Sequence, residues 1–229
     1  MAVTHYDFNK HKNILENFFE LSVRGKVPPN NAPGHKDGWG IGWYKSGKAN
    51  IFKSGNSVVK EKRLFFKTLK KIGRSNLLMI HFRKSAWDKT SREMHAHPFG
   101  FCNYIFSHNG TIFDYKNLLT SIPVNYLPAP DALDTEVFFR YLMDGFPASF
   151  RSSVNLIIKR NKYSSLSFLM SNGRKLYAYR QYSKWADYYT LYRTKIDNSV
   201  IIASEPLSPA FSWRLLEPDK LSVTQIGEA

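Results

Sequence analysis

The sequence predicts an α+β fold in which two stacked antiparallel sheets lie under layers of helices. Three observations lead to this prediction. Segments with strand periodicity form two groups along the chain, and segments with helical periodicity flank each group. Short turn sequences such as Ser46–Gly47 and Asn172–Gly173 join strands, as in antiparallel hairpins. Two sheets flanked by helices bury their apolar faces when they stack in layers.

The first half of the chain contains two amphipathic helices among strands. Apolar residues recur at helical spacing over residues 10–24, and Gly25 then ends the helix. A second helix is predicted after Ser57, which would act as its cap, and it ends at Gly73. The strands predicted here are "DGWGIGWY" (37–44), 49–53, "NLLMIHFR" (76–83) and "FCNYIFS" (101–107).

The second half begins with helices and continues with strands. A proline-rich loop leads to a third helix, Thr135 to Met143, which Gly145 ends, and Pro147 opens a fourth. No repeat or flexible linker is visible, so we expect one domain, residues 1–229. The strands predicted after these helices are "SSLSFLMSN" (164–172), "KLYAYR" (175–180), "YYTLYR" (188–193) and "SVIIAS" (199–204).

The composition indicates a globular protein of the cytoplasm. With 43% hydrophobic and 15% aromatic residues, the 229-residue chain can build a sizeable core, which excludes disorder. The one cysteine, Cys102, rules out an internal disulfide framework and suits a reducing compartment, and its place in a strand predicts a buried thiol. Neither a signal peptide nor an apolar run that could cross a membrane is visible, so we expect no membrane association.

The net charge of +15 is large, and residues 45–92 alone carry +12. Such a block is found in nucleic-acid-binding proteins, but also on solvated faces and on proteins that attract anionic small molecules. Zinc-finger spacing, an aromatic RNA-binding motif and a Gly-x-x-Gly clamp are all absent. The sequence therefore favours a solvated face over nucleic acid as the partner of this segment.

Several polar residues stand where a hydrophobic core has little use for them. Arg83 directly follows a buried strand, "SHNG" ends the next one, and "LDTE" (133–136) opens the third helix. His95 and His97 would share a face in an extended segment, but no third ligand is spaced with them, so we expect no metal. Plainer explanations exist for each: a surface arginine, a hairpin turn at Asn-Gly, and a helix cap at Asp134.

Taken in order, five segments make the chain resemble the class-II glutamine amidotransferases, N-terminal-nucleophile hydrolase domains that release ammonia from glutamine. They are "GHKDGWGIGWY", "HFRKSA", "HAHPFGFCNYIFSHNGTI", "LDTEVFF" and "ASEPL", which extend from about residue 34 to 207. The resemblance is closest to the short, stand-alone members with a "DGWG" motif. It implies a four-layer αββα sandwich and no cofactor.

The resemblance also implies the residues of the site. The Asn109 side-chain amide and the Gly110 backbone N–H would form the oxyanion hole for the tetrahedral intermediate. Arg83 would bind the α-carboxylate of the substrate, and Asp134 its α-ammonium group. The remaining implied residues are Asp37, Gly38, Trp39 and Gly40, at the floor of the site, and His97, which would shape it.

The N-terminus departs from the family pattern. The family's nucleophile is a cysteine that Met removal exposes, and its own α-amine acts as the base. This chain has Ala2 at that position, and "AVTHYDF" reads as a first strand already under way. Three explanations stay open: a true start upstream of Met1, a homologue that binds without turnover, and Thr4 as a nucleophile exposed by processing.

The sequence thus predicts an amidohydrolase that releases ammonia from glutamine or from a related γ-glutamyl amide. The alternatives are a catalytically inactive amino-acid-binding or regulatory homologue and, behind it, a nucleic-acid-binding protein. No synthase sequence follows within these 229 residues, so an ammonia acceptor would be a separate partner or would not exist.

Overall fold

The computed structural model describes residues 1–227, which form twelve β-strands and four α-helices. The helices are α1 (Phe8–Arg24), α2 (Lys62–Ile72), α3 (Asp134–Met143) and α4 (Phe150–Arg160). None of these described helices is long and apolar enough to span a bilayer. The strands are β1 (Ala2–Asp7), β2 (Trp39–Lys45), β3 (Lys48–Ser54), β4 (Arg74–Phe82), β5 (Phe99–Phe101), β6 (Tyr104–Asn109), β7 (Ser167–Ser171), β8 (Lys175–Tyr179), β9 (Tyr192–Ile196), β10 (Ser199–Ala203), β11 (Arg214–Leu215) and β12 (Ser222–Gln225).

The strands form two sheets in which every recorded strand pair is antiparallel. The larger sheet has the order β11-β9-β10-β1-β4-β2-β3, and the smaller has the order β12-β8-β7-β6-β5. In the larger sheet β1 lies between β10 and β4, so the first strand joins the N-terminal group of strands to the C-terminal hairpin β9–β10. The prediction of antiparallel sheets is confirmed.

Side-chain alternation along β4 shows how the layers stack. Leu78 and Ile80 belong to the core that α1 and α2 cover, whereas Leu77 and Met79 point the other way, to Leu169 and its neighbours in the smaller sheet. Successive residues of a strand face opposite sides of the sheet, so the buried middle of β4 contributes to two cores. The two sheets are therefore stacked face to face.

The outer face of the smaller sheet is covered by α3 and α4. Phe106 of β6 stacks on Phe139 of α3 with ring centroids 4.8 Å apart, and it also contacts Phe138 and Phe168. The order of layers is α1/α2, the larger sheet, the smaller sheet and α3/α4. The αββα prediction is confirmed.

The segment "FCNYIFS", predicted as one strand, is instead part of a hairpin. Cys102 and Asn103 have φ angles of 46° and 63°, and Phe101 pairs with Tyr104 across them. Two consecutive left-handed residues are the geometry of a two-residue type I′ turn. Because Cys102 lies in this turn, its side chain is exposed, and the prediction of a buried thiol was wrong.

The Asn109–Gly110 dipeptide does not close a hairpin. Asn109 pairs with Ser167 at the end of β6, and antiparallel pairing resumes beyond Gly110, where Ile112 bridges Tyr163. The chain therefore continues past the dipeptide in the same direction with a local irregularity. Sequence alone cannot distinguish this irregularity from a turn, since both favour Asn and Gly.

Several element boundaries differ from the prediction. Ser57 begins a turn, and α2 itself starts five residues later with Glu61 at its cap position. The strand predicted at 188–193 is β9, shifted toward the C-terminus. Strands β11 and β12 were not predicted, because they are short, sit at sheet edges and are largely exposed.

The basic segment 45–92 contributes an exposed charged face on α2. Its side chains point away from the core residues Phe65 and Leu69. This placement fits a solvated helix face. The basic residues on this face are Lys62, Arg63, Lys67, Lys70 and Lys71.

Candidate functional site

A cavity of about 130 Å³ lies where β4 and β6 end and where α3 begins. Five of the residues that the sequence implied for a site line its wall: Arg83, His97, Asn109, Gly110 and Asp134. They come from four separate segments spread over 52 residues of chain, and the fold brings them to one place. These five residues, chosen from the sequence, therefore lie together around one cavity.

Arg83 follows β4 and is 5% exposed. Its Nη1 donates to the carbonyl oxygens of Asp37 (3.3 Å) and Thr90 (2.8 Å), and its Nη2 donates to the hydroxyls of Ser85 (2.9 Å) and Thr90 (3.1 Å). Burial lowers the pKa of Arg83, while the carboxylates of Asp37 and Asp134 oppose that shift. Four hydrogen bonds therefore fix the plane of a charged guanidinium at the cavity wall.

Asp37 supports the segment that follows Arg83 rather than lining the cavity. Its carboxylate accepts hydrogen bonds from the Ser85 backbone N–H (2.8 Å) and, at 3.4 Å, from the Ser91 hydroxyl. Its own backbone N–H donates to the carbonyl of Arg83 (3.0 Å). Asp37 thus holds residues 84–91, which we call the post-β4 loop, against the end of the sheet.

The expected floor of the site is not where the resemblance implied it. Neither Asp37, Gly38, Trp39 nor Gly40 belongs to the cavity wall. Trp39 is fully buried in the core under α1 and α2, and its indole N–H donates to Glu61 Oε2 (2.8 Å). Strand alternation sends this side chain to the helical side of the sheet, away from the cavity.

Asp134 is the first residue of α3 and is 4% exposed. Its Oδ2 accepts the backbone N–H of Ile112 (3.0 Å), and its Oδ1 accepts the indole N–H of Trp87 (3.0 Å). Trp87 belongs to the post-β4 loop and also lines the cavity. Sequence reasoning missed Trp87, because it stands 47 residues from its partner and in no recurrent pattern.

Asn109 and Gly110 are braced by His108. The Nε2 of His108 lies 2.9 Å from the Ser165 carbonyl oxygen, and its Nδ1 lies 3.1 Å from the Thr135 hydroxyl. A carbonyl oxygen only accepts, so Nε2 carries the hydrogen and Nδ1 accepts from Thr135. His108 therefore ties the end of β6 to the first turn of α3, where Asp134 lies.

The cavity wall is rich in histidine. Five of the seven histidines of the chain line it: His35, His81, His95, His97 and His108. Burial lowers the pKa of each, and it holds the pKa of His81 and His97 well below the usual value. These imidazoles are therefore neutral near pH 7.

His97 lies deep in this wall. Its ring centroid lies 4.3 Å from that of His81, and its Nδ1 is buried without a hydrogen-bond partner among the described residues. Within residues 1–227, no group of three or more His, Cys, Asp or Glu side chains is arranged to hold a metal ion. His97 thus contributes a neutral ring to the cavity wall.

The N-terminal end of β1 reaches the cavity. Met1 lines the wall, and its amine donates to the Ile80 carbonyl oxygen (2.8 Å). Thr4 lies within β1, is 1% exposed and accepts the Val200 N–H at its hydroxyl (2.8 Å). Thr4 is not part of the wall, so this geometry gives no support to Thr4 as a nucleophile.

Comparison with known proteins gives one family and one fold. The sequence model of the family "Glutamine amidotransferases class-II" matches residues 6–193. The uncharacterized protein MJ1515 of Methanocaldococcus jannaschii is 25% identical over an alignment of 257 positions, which covers 96% of this chain and 68% of that protein.

Solved structures share the fold at low sequence identity. A glutamine aminotransferase class-II domain protein from Silicibacter pomeroyi superimposes with a TM-score of 0.62 at 18% identity, over 81% of this chain and 86% of that one. Glutamine phosphoribosylpyrophosphate amidotransferase of B. subtilis superimposes with a TM-score of 0.64 at 14% identity, over all of this chain and 50% of that one. The αββα sandwich is therefore shared with these structures.

Proposed function

This chain belongs to the class-II glutamine amidotransferases, and from that premise we propose that its cavity binds glutamine, or a related γ-glutamyl amide, and hydrolyses the side-chain amide. The reaction would release ammonia and leave glutamate. The observation that supports this most is the pair of opposite charges, Arg83 and Asp134, buried on the wall that also carries Asn109 and Gly110.

Arg83 and Asp134 suit the two charged ends of an α-amino acid. A guanidinium recognises a carboxylate, and a buried carboxylate recognises an ammonium group. The Nη groups of Arg83 already donate to Ser85 and Thr90, so a bound carboxylate would share these donors or replace the hydroxyls. With both ends held, the side-chain amide would be confined to the remaining part of the cavity, which favours reaction by proximity.

Asn109 and Gly110 suit the stabilisation of an oxyanion. Attack on the side-chain amide places negative charge on its oxygen, and fixed donors lower the energy of that state. The brace from His108 to Ser165 and Thr135 holds this corner in place. The surrounding imidazoles are neutral, so they do not compete for the charged ends of the substrate.

The family's nucleophile is an N-terminal cysteine, and we propose that its place is the end of β1 beside Met1. Met1, which directly precedes β1, lines the cavity wall. Cys102 is excluded, since it lies in the exposed β5–β6 turn and is not a wall residue.

Binding is tested first, since it does not depend on the nucleophile. Isothermal titration calorimetry should detect glutamine binding to the chain as given. Arg83→Ala and Asp134→Ala should each abolish it, because either change leaves one end of the substrate without its counter-charge. Asn117→Ala, an exposed residue outside the cavity wall, should leave binding unchanged.

Turnover is tested on a form extended upstream of Met1 by Met-Cys-Arg, the start typical of the family. This form should release equal amounts of glutamate and ammonia from glutamine. Asn109→Ala should lower kcat by roughly 10²- to 10³-fold, as loss of one oxyanion donor does elsewhere, with little change in glutamine affinity.

Two results would separate the alternatives. If the chain binds neither glutamine nor any γ-glutamyl amide tried, the proposal fails as a whole. If it binds glutamine through Arg83 and Asp134 but the extended form releases no ammonia, the site belongs to an amino-acid-binding homologue without turnover.

A further inference from the structure

The Asp134 carboxylate is held by donors from two different parts of the chain. The Ile112 N–H reaches Oδ2 from the segment after β6, and the Trp87 indole N–H reaches Oδ1 from the post-β4 loop, both at 3.0 Å. A carboxylate has about four acceptor sites, so two remain for a ligand. One donor on each oxygen fixes the plane in which those two sites lie.

Trp87 is itself held in place. Its backbone N and O lie 3.0 and 2.8 Å from the hydroxyl of Ser85, and its ring packs edge-on against Tyr115 with centroids 5.8 Å apart. Thr90 closes the loop with its hydroxyl 2.8 Å from the Trp87 carbonyl oxygen. The indole N–H therefore points at Asp134 from a fixed base.

The hydroxyls that hold Trp87 also hold Arg83. Ser85 and Thr90 both accept from Arg83 Nη2. The post-β4 loop consequently contacts the two charged groups that would bind an amino acid, Arg83 through hydroxyls and Asp134 through the indole. The two groups are coupled through one short segment.

On the basis of the proposed function, we infer that Trp87 is a positioning residue. It holds the Asp134 carboxylate for the α-ammonium group and so gives the site its preference for an α-amino acid over the same amide without that group. Trp87 acts through Asp134 and needs no contact with the substrate. Its loss should weaken only those ligands that carry an α-ammonium group.

The test compares two ligands that differ in that group alone. Glutamine and 4-carbamoylbutanoate, which is glutamine without the α-ammonium group, are titrated calorimetrically into the wild type and into Trp87→Phe. Phenylalanine keeps a ring against Tyr115 and removes the N–H. Trp87→Phe should weaken glutamine roughly 10-fold, the scale of one lost charge-assisted hydrogen bond, and should change 4-carbamoylbutanoate less than about 2-fold.

Trp213→Phe is the matched control. It also removes one indole N–H, which donates to the Ser208 carbonyl oxygen at 3.0 Å, and Trp213 is not part of the cavity wall. It should change neither affinity.

Equal weakening of both ligands would mean that Trp87 only supports the loop, and it would overturn the inference. Unchanged affinities for both ligands in Trp87→Phe would also overturn it. So would tighter binding of glutamine by Trp87→Phe, which would make the indole a competitor for Asp134. Trp87→Met, which also lacks the N–H, gives the same reading if Trp87→Phe does not fold. If the wild type binds no glutamine, the proposed function itself fails, which is a distinct result.

Discussion

The backbone of Gly110 passes directly over the Ser165 carbonyl. A Cβ atom at position 110 would overlap that carbonyl oxygen and would lie 2.7 Å from His108 Nε2. The same oxygen accepts the hydrogen bond of His108 Nε2. Glycine at this position is therefore required by close approach, and it lets the end of β6 lie flat against residues 164–166.

We predict that Gly110→Ala lowers the free energy of unfolding by about 2–3 kcal/mol and abolishes turnover. The added methyl group must displace Ser165 or break the His108 hydrogen bond, and overpacking of this kind costs about that much. Urea denaturation gives the stability, and the glutamate assay on the extended form gives the turnover.

Gly47→Ala is the comparison for that substitution. Gly47 also has a positive φ, +72°, but a Cβ there meets nothing within 4 Å. Its replacement should cost only about 1 kcal/mol, the backbone contribution. If Gly110→Ala costs no more than Gly47→Ala, the close approach to Ser165 does not matter for stability.

Among the elements, the β5–β6 hairpin shows how one turn joins the two sheets. The Asn103 side chain accepts the Ala49 N–H (2.8 Å) and donates to the Gly47 carbonyl oxygen (2.9 Å), both in the β2–β3 hairpin. The Tyr44 hydroxyl of β2 reaches the Asn103 carbonyl oxygen at 3.0 Å. This docking leaves the other turn residue, Cys102, exposed to solvent.

We predict that one thiol per chain reacts with a disulfide reagent in native buffer, at a rate within a few-fold of that in denaturant. The exposed turn leaves the Cys102 sulfur accessible without unfolding. Absorbance of the released thiolate measures the rate, and Cys102→Ser should show no reaction. Labelling that waits for unfolding would contradict the hairpin.

At the scale of the whole molecule, the cavity collects buried imidazoles from distant parts of the chain. His81, the residue before the last of β4, lies near the N-terminal amine and Arg83, and His97 lies near His81, Arg83 and Lys53. Each sits where its charged form is poorly solvated and lies near a cation. The folded state therefore keeps these rings neutral at a pH where the unfolded chain protonates them.

We predict that the protein loses stability as the pH falls from about 7 to 5. Below the ordinary imidazole value of 6.5, the unfolded state binds more protons than the folded state, so the free energy of unfolding decreases with falling pH. His81 and His97 should each contribute up to about 1.4 kcal/mol per pH unit in this range.

The measurement is a series of urea midpoints from pH 5 to 7.5. His97→Asn should reduce the slope, since it removes one of the groups that protonate only on unfolding. Stability that stays constant over this range would mean that His81 and His97 are accessible to protons in the folded state.

Elements whose signals are local can be predicted from the amino-acid sequence alone. Helical spacing over 10–24 and 135–143, and the apolar run 76–83, gave α1, α3 and β4 to within a few residues. The ordered motifs also identified Arg83, Asn109, Gly110 and Asp134 as candidates, and all four line one cavity. Such features depend on a residue and its near neighbours, so a linear pattern carries them.

Features that depend on contacts between distant segments follow instead from the packing of the whole molecule. The packing of the layers places Trp39 in the core under α1 and α2 and leaves Cys102 exposed. It also carries the chain past Gly110 instead of reversing it. It also placed the Trp87 indole on Asp134, 47 residues away. The physical reason is that these outcomes depend on which face of a strand meets which layer, and that choice is made when the four layers pack together.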